Sequence, residues 1–320
     1  MIRTVFFSTT ALLLAACGEA GTTPAQRVAD DVNRGWRIDN TGDVNAFLNC
    51  LEADGLSLIS AHRGGPQPGF PENAIETMAA VLLDIPTIME VDVATSSDGV
   101  MFLMHDDTLE RTTTGSGRAA EKPWSEISQL RLVDNDGKAT DYRPPRFADA
   151  LAWAKDKTIL QVDFKRSTRF EDVIDEINRQ NAEDRIILIA YTMAAARKLH
   201  RLAPDVMISL SLDSQSELNR AVAAGVPADR LIGFTGTEAP RPRLFRVLDD
   251  RDVEVIFGTL GGRNSIDRDI AQTGDEERYA EISQAGADII ATDRPLAAHA
   301  ALSGAGRSAG DGVCGVASSR

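Results

Sequence analysis

Short runs of apolar and β-branched residues alternate with amphipathic stretches along the chain from residue 57 onward. Such runs of four to eight residues are typical of buried strands, and apolar residues repeated every three or four positions are typical of helices. On this basis we predict strands at 58–61, 88–93, 100–104, 159–164, 186–190, 206–212, 231–234, 253–257 and 288–291. Helices are predicted between many of them, including 75–83, 170–180, 194–202 and 279–285. This alternation predicts a parallel sheet with helices packed around it.

Polar residues lie near or directly after the C-terminal ends of several predicted strands, at 62–63, 90–92, 105–106, 163–165 and 292–293. In a (β/α)8 barrel all these positions meet at the C-terminal rim, whereas a doubly wound sheet gathers only the strands at its switch point. We therefore predict an α/β fold, a (β/α)8 TIM barrel over residues 56–302. Because eight places must accommodate nine predicted strands, either 231–234 or 253–257 is expected to be an extra strand or a loop.

Two stretches fall outside the regular alternation. Residues 106–145 are too many for an ordinary connection and carry their own turn and helix patterns, so we predict an enlarged linker between the third strand and the third helix, over the rim. Residues 303–320 are rich in Gly and Ser and have no apolar period, which predicts a flexible tail. No glycine-rich phosphate loop of the GxGxxG or GxxxxGK[ST] kind follows a predicted strand.

The start of the chain has the pattern of an export signal. Arg3 precedes an apolar stretch, 5–14, that is too short to span a bilayer and ends in Leu14-Ala15-Ala16-Cys17. This ending resembles a bacterial lipobox, which predicts a lipoprotein signal peptide over 1–16 and a lipid anchor on Cys17. The anchor would hold the protein on the periplasmic or cell-surface side of a membrane, with residues 17–55 as tether and N-terminal segment. An ordinary signal peptide followed by a chance cysteine is the alternative.

Charge and cysteine content restrict the partners. The chain has 34 Lys and Arg against 48 Asp and Glu, a formal net charge of −14, and no basic run that could neutralise a series of phosphates. A nucleic-acid partner is therefore not expected, and a site for a small anion needs local positive charge from a metal or from Arg and Lys.

Cys50 and Cys314 could form a disulfide in an oxidising compartment, or they could be unrelated thiols.

Two of the four histidines, His62 and His105, stand at the ends of predicted parallel strands. Imidazole is the usual proton-transfer group near neutral pH, so two imidazoles on one rim suit an acid and base pair. For either histidine alone, a structural role against a backbone carbonyl is the alternative. His200 lies in a predicted helix and His299 near the tail, and we interpret both as structural.

Three acidic residues are expected on the same rim. Glu90 and Asp92 alternate along one strand and so point to the same side, and Asp163 precedes Lys165 by two positions on another strand. Carboxylates at close range repel unless a cation or a shared proton compensates. A donor set of oxygens alone suits Mg²⁺ or Ca²⁺ better than zinc. A structural ion pair with Lys165 is the alternative, but it would not account for all three acids.

These residues belong to ordered motifs that resemble those of the glycerophosphodiester phosphodiesterase family. The motifs are His62-Arg63-Gly64, Pro71-Glu72-Asn73, Glu90-Val91-Asp92-Val93, His105-Asp106 with the Thr-Leu-Glu-Arg-Thr-Thr run at 108–113, and the final strand region 286–295. The resemblance is dense over 59–117 and resumes at 145–165.

The resemblance implies a barrel enzyme that hydrolyses glycerophosphodiesters to sn-glycerol 3-phosphate and an alcohol, with Mg²⁺ or Ca²⁺ as cofactor. His62 and His105 would be the acid and base, in an order that the sequence leaves open. Glu90, Asp92 and Asp163 would be metal ligands. Attack by water and attack by a substrate hydroxyl to give a cyclic phosphate also both remain open.

The same resemblance suggests substrate-binding residues. Arg63 and Lys165 would hold phosphate oxygens and supply the local positive charge that an anionic substrate requires. Glu72 and Asn73, at the opening of a predicted helix, could be ligands on the rim or could form the N-terminal cap of that helix.

Two positions depart from the family pattern. Asp163 stands where the family usually has glutamate, and Phe257-Gly258-Thr259 stands where it usually has Trp-Thr. The second change removes the expected platform for glycerol or a head group. Two other functions therefore stay open: a lysophospholipase D-like diesterase, which would need an apolar groove for an acyl chain, and a non-catalytic barrel that acts as a surface-binding lipoprotein.

Overall fold

The structure, a computed structural model, describes residues 34–39 and 42–319. Its strands are β1 (Trp36–Ile38), β2 (Leu58–Ala61), β3 (Ile88–Thr95), β4 (Met101–Leu103), β5 (Leu160–Phe164), β6 (Ile186–Ala190), β7 (Met207–Ser211), β8 (Leu231–Phe234), β9 (Glu254–Gly258), β10 (Ile289–Thr292) and β11 (Val316–Ser318). Eight of them, β2, β3 and β5 to β10, pair in parallel in that order, and β10 pairs with β2 to close the barrel. The predicted (β/α)8 barrel is confirmed.

Helices surround the barrel and cover one end of it. They are α1 (Val44–Ala53), α2 (Ile75–Asp84), α3 (Trp124–Ile127), α4 (Phe147–Ala154), α5 (Phe170–Arg179), α6 (Met193–Leu202), α7 (Gln215–Ala223), α8 (Pro242–Asp249), α9 (Ile266–Thr273), α10 (Glu277–Gln284) and α11 (Pro295–Gly304). None of the helices in the described ranges is long and apolar enough to cross a bilayer.

The interior of the barrel is apolar near the N-terminal ends of its strands. Alternate strand positions point inward, and the inward side chains at the N-terminal ends form one buried cluster, which includes Leu58, Ile88, Ile187, Ile232, Ile256 and Ile289. Helix α1 packs Phe47, Leu48 and Leu51 against this cluster, at helical spacing. The Asp43 carboxylate begins the helix by accepting the backbone N–H of Asn45 at 3.0 Å. Because this apolar cluster fills the N-terminal end of the barrel, polar groups lie at the C-terminal ends of the strands.

The assignment of the extra strand was wrong. Both 231–234 and 253–257 are barrel strands, and the extra strand is β4, which pairs antiparallel with the end of β3 through Val93 and Leu103. The turn at 96–99 is too short for a parallel crossover, which needs a dozen or more residues. The enlarged connection therefore follows the second barrel strand, and it has a small core of its own at Ala94, Phe102, Met104, Leu109, Ala119 and Ile127.

The C-terminal segment is not the flexible tail that its composition predicts. Helix α11 extends to Gly304, β11 pairs antiparallel with β1, and Cys314 forms a disulfide with Cys50 of α1. The pairing with β1 and the disulfide hold this segment in place. Neither contact can be predicted from local composition. The predicted signal peptide over 1–16, the lipidation site Cys17 and the polar stretch at 18–24 lie outside the described residues.

Candidate active site

The C-terminal ends of the barrel strands surround a cavity of about 180 Å³. Its lining residues are His62, Glu90, Asp92, His105, Gln161, Asp163, Lys165, Ile189, Ala190, Tyr191, Ser209, Ser211, Phe234, Ile256, Leu260 and Ala291. Six of the residues predicted from the sequence therefore share one cavity: both histidines, the three acids and Lys165. This is the end of a (β/α)8 barrel at which active sites lie.

The three acids form one buried cluster. Asp92 and Asp163 are register partners on adjacent strands, and Glu90 is one inward position before Asp92. One oxygen from each of the three lies within 4.8 Å of the others. The Lys165 ammonium lies 2.7 Å from Asp92 Oδ1 and 2.7 Å from Asp163 Oδ2. The ion pair considered from the sequence thus exists with two of the three acids, and Glu90 is not part of it.

Electrostatics show that this cluster has excess negative charge. Burial, together with the Asp92 carboxylate, raises the pKa of Glu90 to about 8. Burial opposes ionisation of Asp92 as well, but Lys165 and the Asn73 amide outweigh it and hold the pKa of Asp92 below its usual value. Asp163 Oδ1 is buried without a hydrogen-bond partner. The cations paired with these acids are Lys165 and, at 3.7 Å from Asp92 Oδ2, the Nε of Arg63. A donor set of oxygens that includes one orphaned carboxylate oxygen fits a hard divalent cation such as Mg²⁺ or Ca²⁺.

His62 is oriented by an acid from the far end of the chain. Its Nδ1 lies 2.6 Å from Asp293 Oδ1, and the backbone N–H of Asp293 donates to Asp267 Oδ2 at 2.6 Å. Although burial disfavours the imidazolium, Asp293 and Glu90 raise the pKa of His62 above its ordinary value. Because a carboxylate at Nδ1 favours the proton there, Nε2 of the neutral ring is left as the proton acceptor.

His105 has an equivalent arrangement on the enlarged connection. Its Nδ1 lies 2.6 Å from Asp106 Oδ1, and Arg111 Nε donates to Asp106 Oδ2 at 2.6 Å. The Arg111 guanidinium holds the pKa of Asp106 far below its usual value, so this carboxylate stays ionised. The sequence had placed His105 after a parallel strand, but it follows the antiparallel β4. It still reaches the cavity because the connection returns over the rim.

Arg63 lies behind the cavity wall. Arg63 and Gly64 have positive φ, and a Cβ on Gly64 would lie 2.7 Å from Met78 Cγ, so the turn after β2 requires glycine there. This turn aims the backbone N–H of Arg63 at Glu90 Oε2, 2.7 Å away. The guanidinium pairs with Glu72 at 3.1 Å, and its Nε lies 3.7 Å from Asp92 Oδ2. The phosphate contact expected of Arg63 stays a prediction.

Glu72 and Asn73 also hold other residues in place. Glu72 accepts from Arg111 at 2.7 Å and 2.8 Å, and Asn73 exchanges two hydrogen bonds with Asp92, at 2.7 Å and 2.9 Å. The prediction of an N-terminal cap was wrong: Ala74 occupies the cap position of α2 and no side chain caps it. Asn73 adopts a φ of 57° and points its amide into the acid cluster instead.

Sequence reasoning missed several residues at the site. Asp293, Asp106 and Arg111 stood within the quoted motifs but were given no role. Tyr191, directly after the predicted strand 186–190, is 67% exposed at the cavity, and its position at a strand end was the available signal. With Phe234 and other residues it lines the cavity on the side that β6 to β9 provide. Burial and the Asp163 carboxylate of the neighbouring β5 raise the pKa of the Tyr191 phenol.

The closed parallel barrel and the polar cavity at its C-terminal rim define a (β/α)8-barrel enzyme. Residues 62–297 match the Glycerophosphoryl diester phosphodiesterase family. Because the match covers most of the chain, the protein belongs to this family of phosphoric diester hydrolases. The family predicted from the motifs is confirmed.

Three relatives show the extent of the similarity. A crystal structure of a glycerophosphoryl diester phosphodiesterase from Parabacteroides distasonis is 29% identical, with a TM-score of 0.79 over 89% of this chain and 99% of that one. The glycerophosphodiester phosphodiesterase of Caldanaerobacter subterraneus is 28% identical over 48% of this chain and 66% of its own length. An Oleispira antarctica phosphodiesterase, solved with the product sn-glycerol-3-phosphate, is 18% identical over 78% of this chain and 98% of that one, with a TM-score of 0.62. This last similarity concerns the fold.

Proposed function

We propose that the protein hydrolyses glycerophosphodiesters to sn-glycerol 3-phosphate and an alcohol by metal-dependent, two-histidine acid and base catalysis. The observation that carries the proposal is the placement of two imidazoles, each bound by a carboxylate through Nδ1, beside three buried acids in one cavity. Membership of the family supports the reaction class. The Oleispira antarctica relative, which holds sn-glycerol-3-phosphate, supports the product.

The histidines perform the proton transfers. One Nε2 accepts the proton of the attacking hydroxyl, and the other imidazolium donates to the leaving alkoxide. Asp293 and Asp106 each fix the tautomer of one ring, and Asp293 stabilises the protonated form of His62. Both rings are oriented before substrate binds, which removes an entropic cost from the reaction.

Glu90, Asp92 and Asp163 would hold the divalent cation, which when bound supplies positive charge to the phosphoryl oxygens. Asn73 fixes the Asp92 carboxylate, and the backbone N–H of Arg63 fixes that of Glu90. The Lys165 ammonium adds a permanent positive charge in the cavity, which favours an anionic phosphodiester despite the overall charge of −14.

The size and lining of the cavity support a small diester. About 180 Å³ is below the range of roughly 300–1,000 Å³ for pockets that bury drug-sized ligands, so an acyl chain would have no enclosed site. We therefore favour glycerophosphodiesters over lysophospholipids. Tyr191 and Phe234 provide the apolar surface that the missing seventh-strand tryptophan would otherwise give to glycerol or the head group.

We also propose that the protein is exported and anchored through a lipid on Cys17. The sequence pattern at 14–17 is the basis for this proposal, and the Cys50–Cys314 disulfide supports an oxidising compartment. Incorporation of radioactive fatty acid should disappear in Cys17→Ala. Label that persists in this variant would reject the anchor.

The reaction can be tested with purified protein that carries Cys17→Ser, incubated with a panel of glycerophosphodiesters and lysophospholipids. We expect sn-glycerol 3-phosphate from the glycerophosphodiesters, complete loss with EDTA, and recovery with Mg²⁺ or Ca²⁺. Turnover that survives full metal removal would contradict the carboxylate site. Preferential release of head groups from lysophospholipids would favour the lysophospholipase D-like alternative, and no turnover of any diester would favour the binding function.

A further inference from the structure

A second concave surface lies on the flank of the barrel, away from the active site. It is a groove of about 460 Å³ that runs along α2 between β1 and the end of α4, and it shares no residue with the catalytic cavity. We call it the basic groove, since its lining includes four cations and two indoles: Arg34, Arg37, Lys155, Lys157, Trp36 and Trp153. None of these residues has a role in the proposed reaction.

The charge of the basic groove differs from that of the whole molecule. Four cations face two acids, Glu76 and Asp156, in a chain whose formal net charge is −14. The chain has six lysines, and four of them, at 122, 138, 165 and 198, form ion pairs with carboxylates. Within the described ranges, the two lysines that form no ion pair are Lys155 and Lys157, and both lie here. In Lys155 and Lys157 the groove therefore holds two positive charges that no carboxylate of the described residues pairs with.

We infer that the basic groove docks on an anionic phospholipid surface. Lysine and arginine bind the phosphates of anionic lipids, and tryptophan is enriched at the level of lipid head groups, so the groove combines the two residue types that bilayer interfaces select. Charge complementarity favours a bilayer of negative lipids over a zwitterionic one. The groove also includes Arg34, where the described chain begins, 17 residues after Cys17.

The proposed lipid on Cys17 would bring this face to a membrane. Seventeen residues reach at most about 60 Å when fully extended, which limits how far the groove can be from the bilayer. The active-site cavity lies elsewhere on the barrel, so docking leaves it open to soluble diesters. The docking inference does not depend on the proposed hydrolysis, because vesicle binding is measured without substrate.

The test uses the full mature chain with Cys17→Ser, which removes the lipid and isolates the contribution of the surface. Co-sedimentation is measured with vesicles of phosphatidylcholine alone and of phosphatidylcholine with phosphatidylglycerol. We expect binding to the anionic vesicles only, weakened by salt, with a blue shift in tryptophan fluorescence. The variant Arg37→Glu/Lys155→Glu/Lys157→Glu should bind at least tenfold more weakly and keep its hydrolytic activity.

The matched control reverses three exposed arginines elsewhere that form no ion pair, in Arg197→Glu/Arg201→Glu/Arg268→Glu. This control changes the net charge equally and should retain most of the vesicle binding. Equal losses in both triple variants would show a bulk charge effect and overturn the inference. The inference would also be overturned if the Cys17→Ser protein did not bind anionic vesicles, because the groove would then have some other role. Unchanged melting temperatures establish that both variants are folded.

Discussion

At the scale of single residues, one carboxylate orients each of the two histidines at the site. Asp293 holds His62 and Asp106 holds His105, each at 2.6 Å, so two imidazoles in different parts of the barrel have the same tautomer preference. Arg111 forms an ion pair with Asp106, and Arg63 forms one with Glu72. Because Nδ1 of each ring is held by a carboxylate, Nε2 is the nitrogen atom left for the proposed proton transfers.

The catalytic role that we propose for the two rings predicts a large loss of turnover when either imidazole is removed. His62→Ala and His105→Ala should each lower kcat by roughly 10²- to 10⁴-fold, because each removes a proton donor or acceptor from the transition state. The helical His200→Ala is the control and should leave kcat unchanged. Steady-state kinetics on a glycerophosphodiester would measure all three. Turnover near that of the parent protein in both His62→Ala and His105→Ala would remove the two-histidine mechanism.

The pair of His62 and Asp293 predicts a specific pH dependence of stability. Since the folded pKa of His62 is raised, its contribution is complete below the unfolded value of about 6.5 and is lost as pH rises through the folded pKa. Despite burial, His62 lowers the pKa of Asp293, so the contribution of Asp293 is present above about pH 4 and is lost in acid. Asp293→Asn should therefore destabilise most between about pH 4 and 6.5.

Urea unfolding of the parent protein and Asp293→Asn across this range would measure the difference. An NMR titration should also show a lower pKa for His62 in the variant. A difference in unfolding free energy that grows steadily above pH 8 would contradict the assignment. Ser211→Ala, which changes a different cavity residue, serves as a control with no effect on the His62 titration.

The residue types at the centre of the site were predictable, but their partners were not. Strand-end positions sufficed to find His62 and the three acids, because parallel strands bring such positions together. His105 was found by the same signal, although it follows the antiparallel β4. The partner of His62 is 231 positions away, and no local pattern specifies that pairing. The contacts of Arg63 and Asn73 with the acids were not predicted either, because they depend on the left-handed turn geometry at both residues.

At the scale of elements, the sequence patterns did not predict the direction of each strand or the pairing of strands far apart in the chain. The pattern at 100–104 correctly predicts a strand, but an apolar run is the same for parallel and antiparallel neighbours. The short turn at 96–99 was the signal that this strand returns along β3. Strand β11 is three residues in a glycine-rich segment, and its pairing with β1 and the nearby disulfide specify it rather than local propensity.

The disulfide predicts a measurable stabilisation of the N-terminal elements. It joins α1, the helix that closes the barrel, to the segment that pairs with β1. Cys314→Ser should lower the free energy of unfolding by about 2–5 kcal/mol, because it releases a constraint on the unfolded chain. Urea unfolding with and without reductant measures this value. Cys50→Ser should give the same loss, and reductant should affect only the parent protein; a reductant-dependent change in either variant would contradict the pairing.

At the scale of the whole molecule, acidic residues outnumber basic ones, and three of the six lysines lie in the two concave sites. Lys165 lies in the catalytic cavity, and Lys155 and Lys157 lie in the basic groove, in a chain with 14 more acidic than basic residues. The negative field of the remaining surface opposes the approach of anionic substrates. For the proposed anionic substrate, the cations at the site favour binding, whereas the net negative charge lowers the rate at which the substrate reaches the site.

The net charge predicts an unusual response to salt. For glycerophosphoglycerol, an anion, kcat/KM should rise by roughly threefold between 10 mM and 150 mM NaCl, because screening shortens the reach of the repulsive field from about 30 Å to about 8 Å. Glycerophosphocholine carries no net charge, so its kcat/KM should change little under the same conditions, with the divalent cation kept saturating. The ratio of the two values is the measured quantity. A ratio that falls with salt would mean that Lys165 and the bound cation attract anions over a longer range than the surface acids repel them.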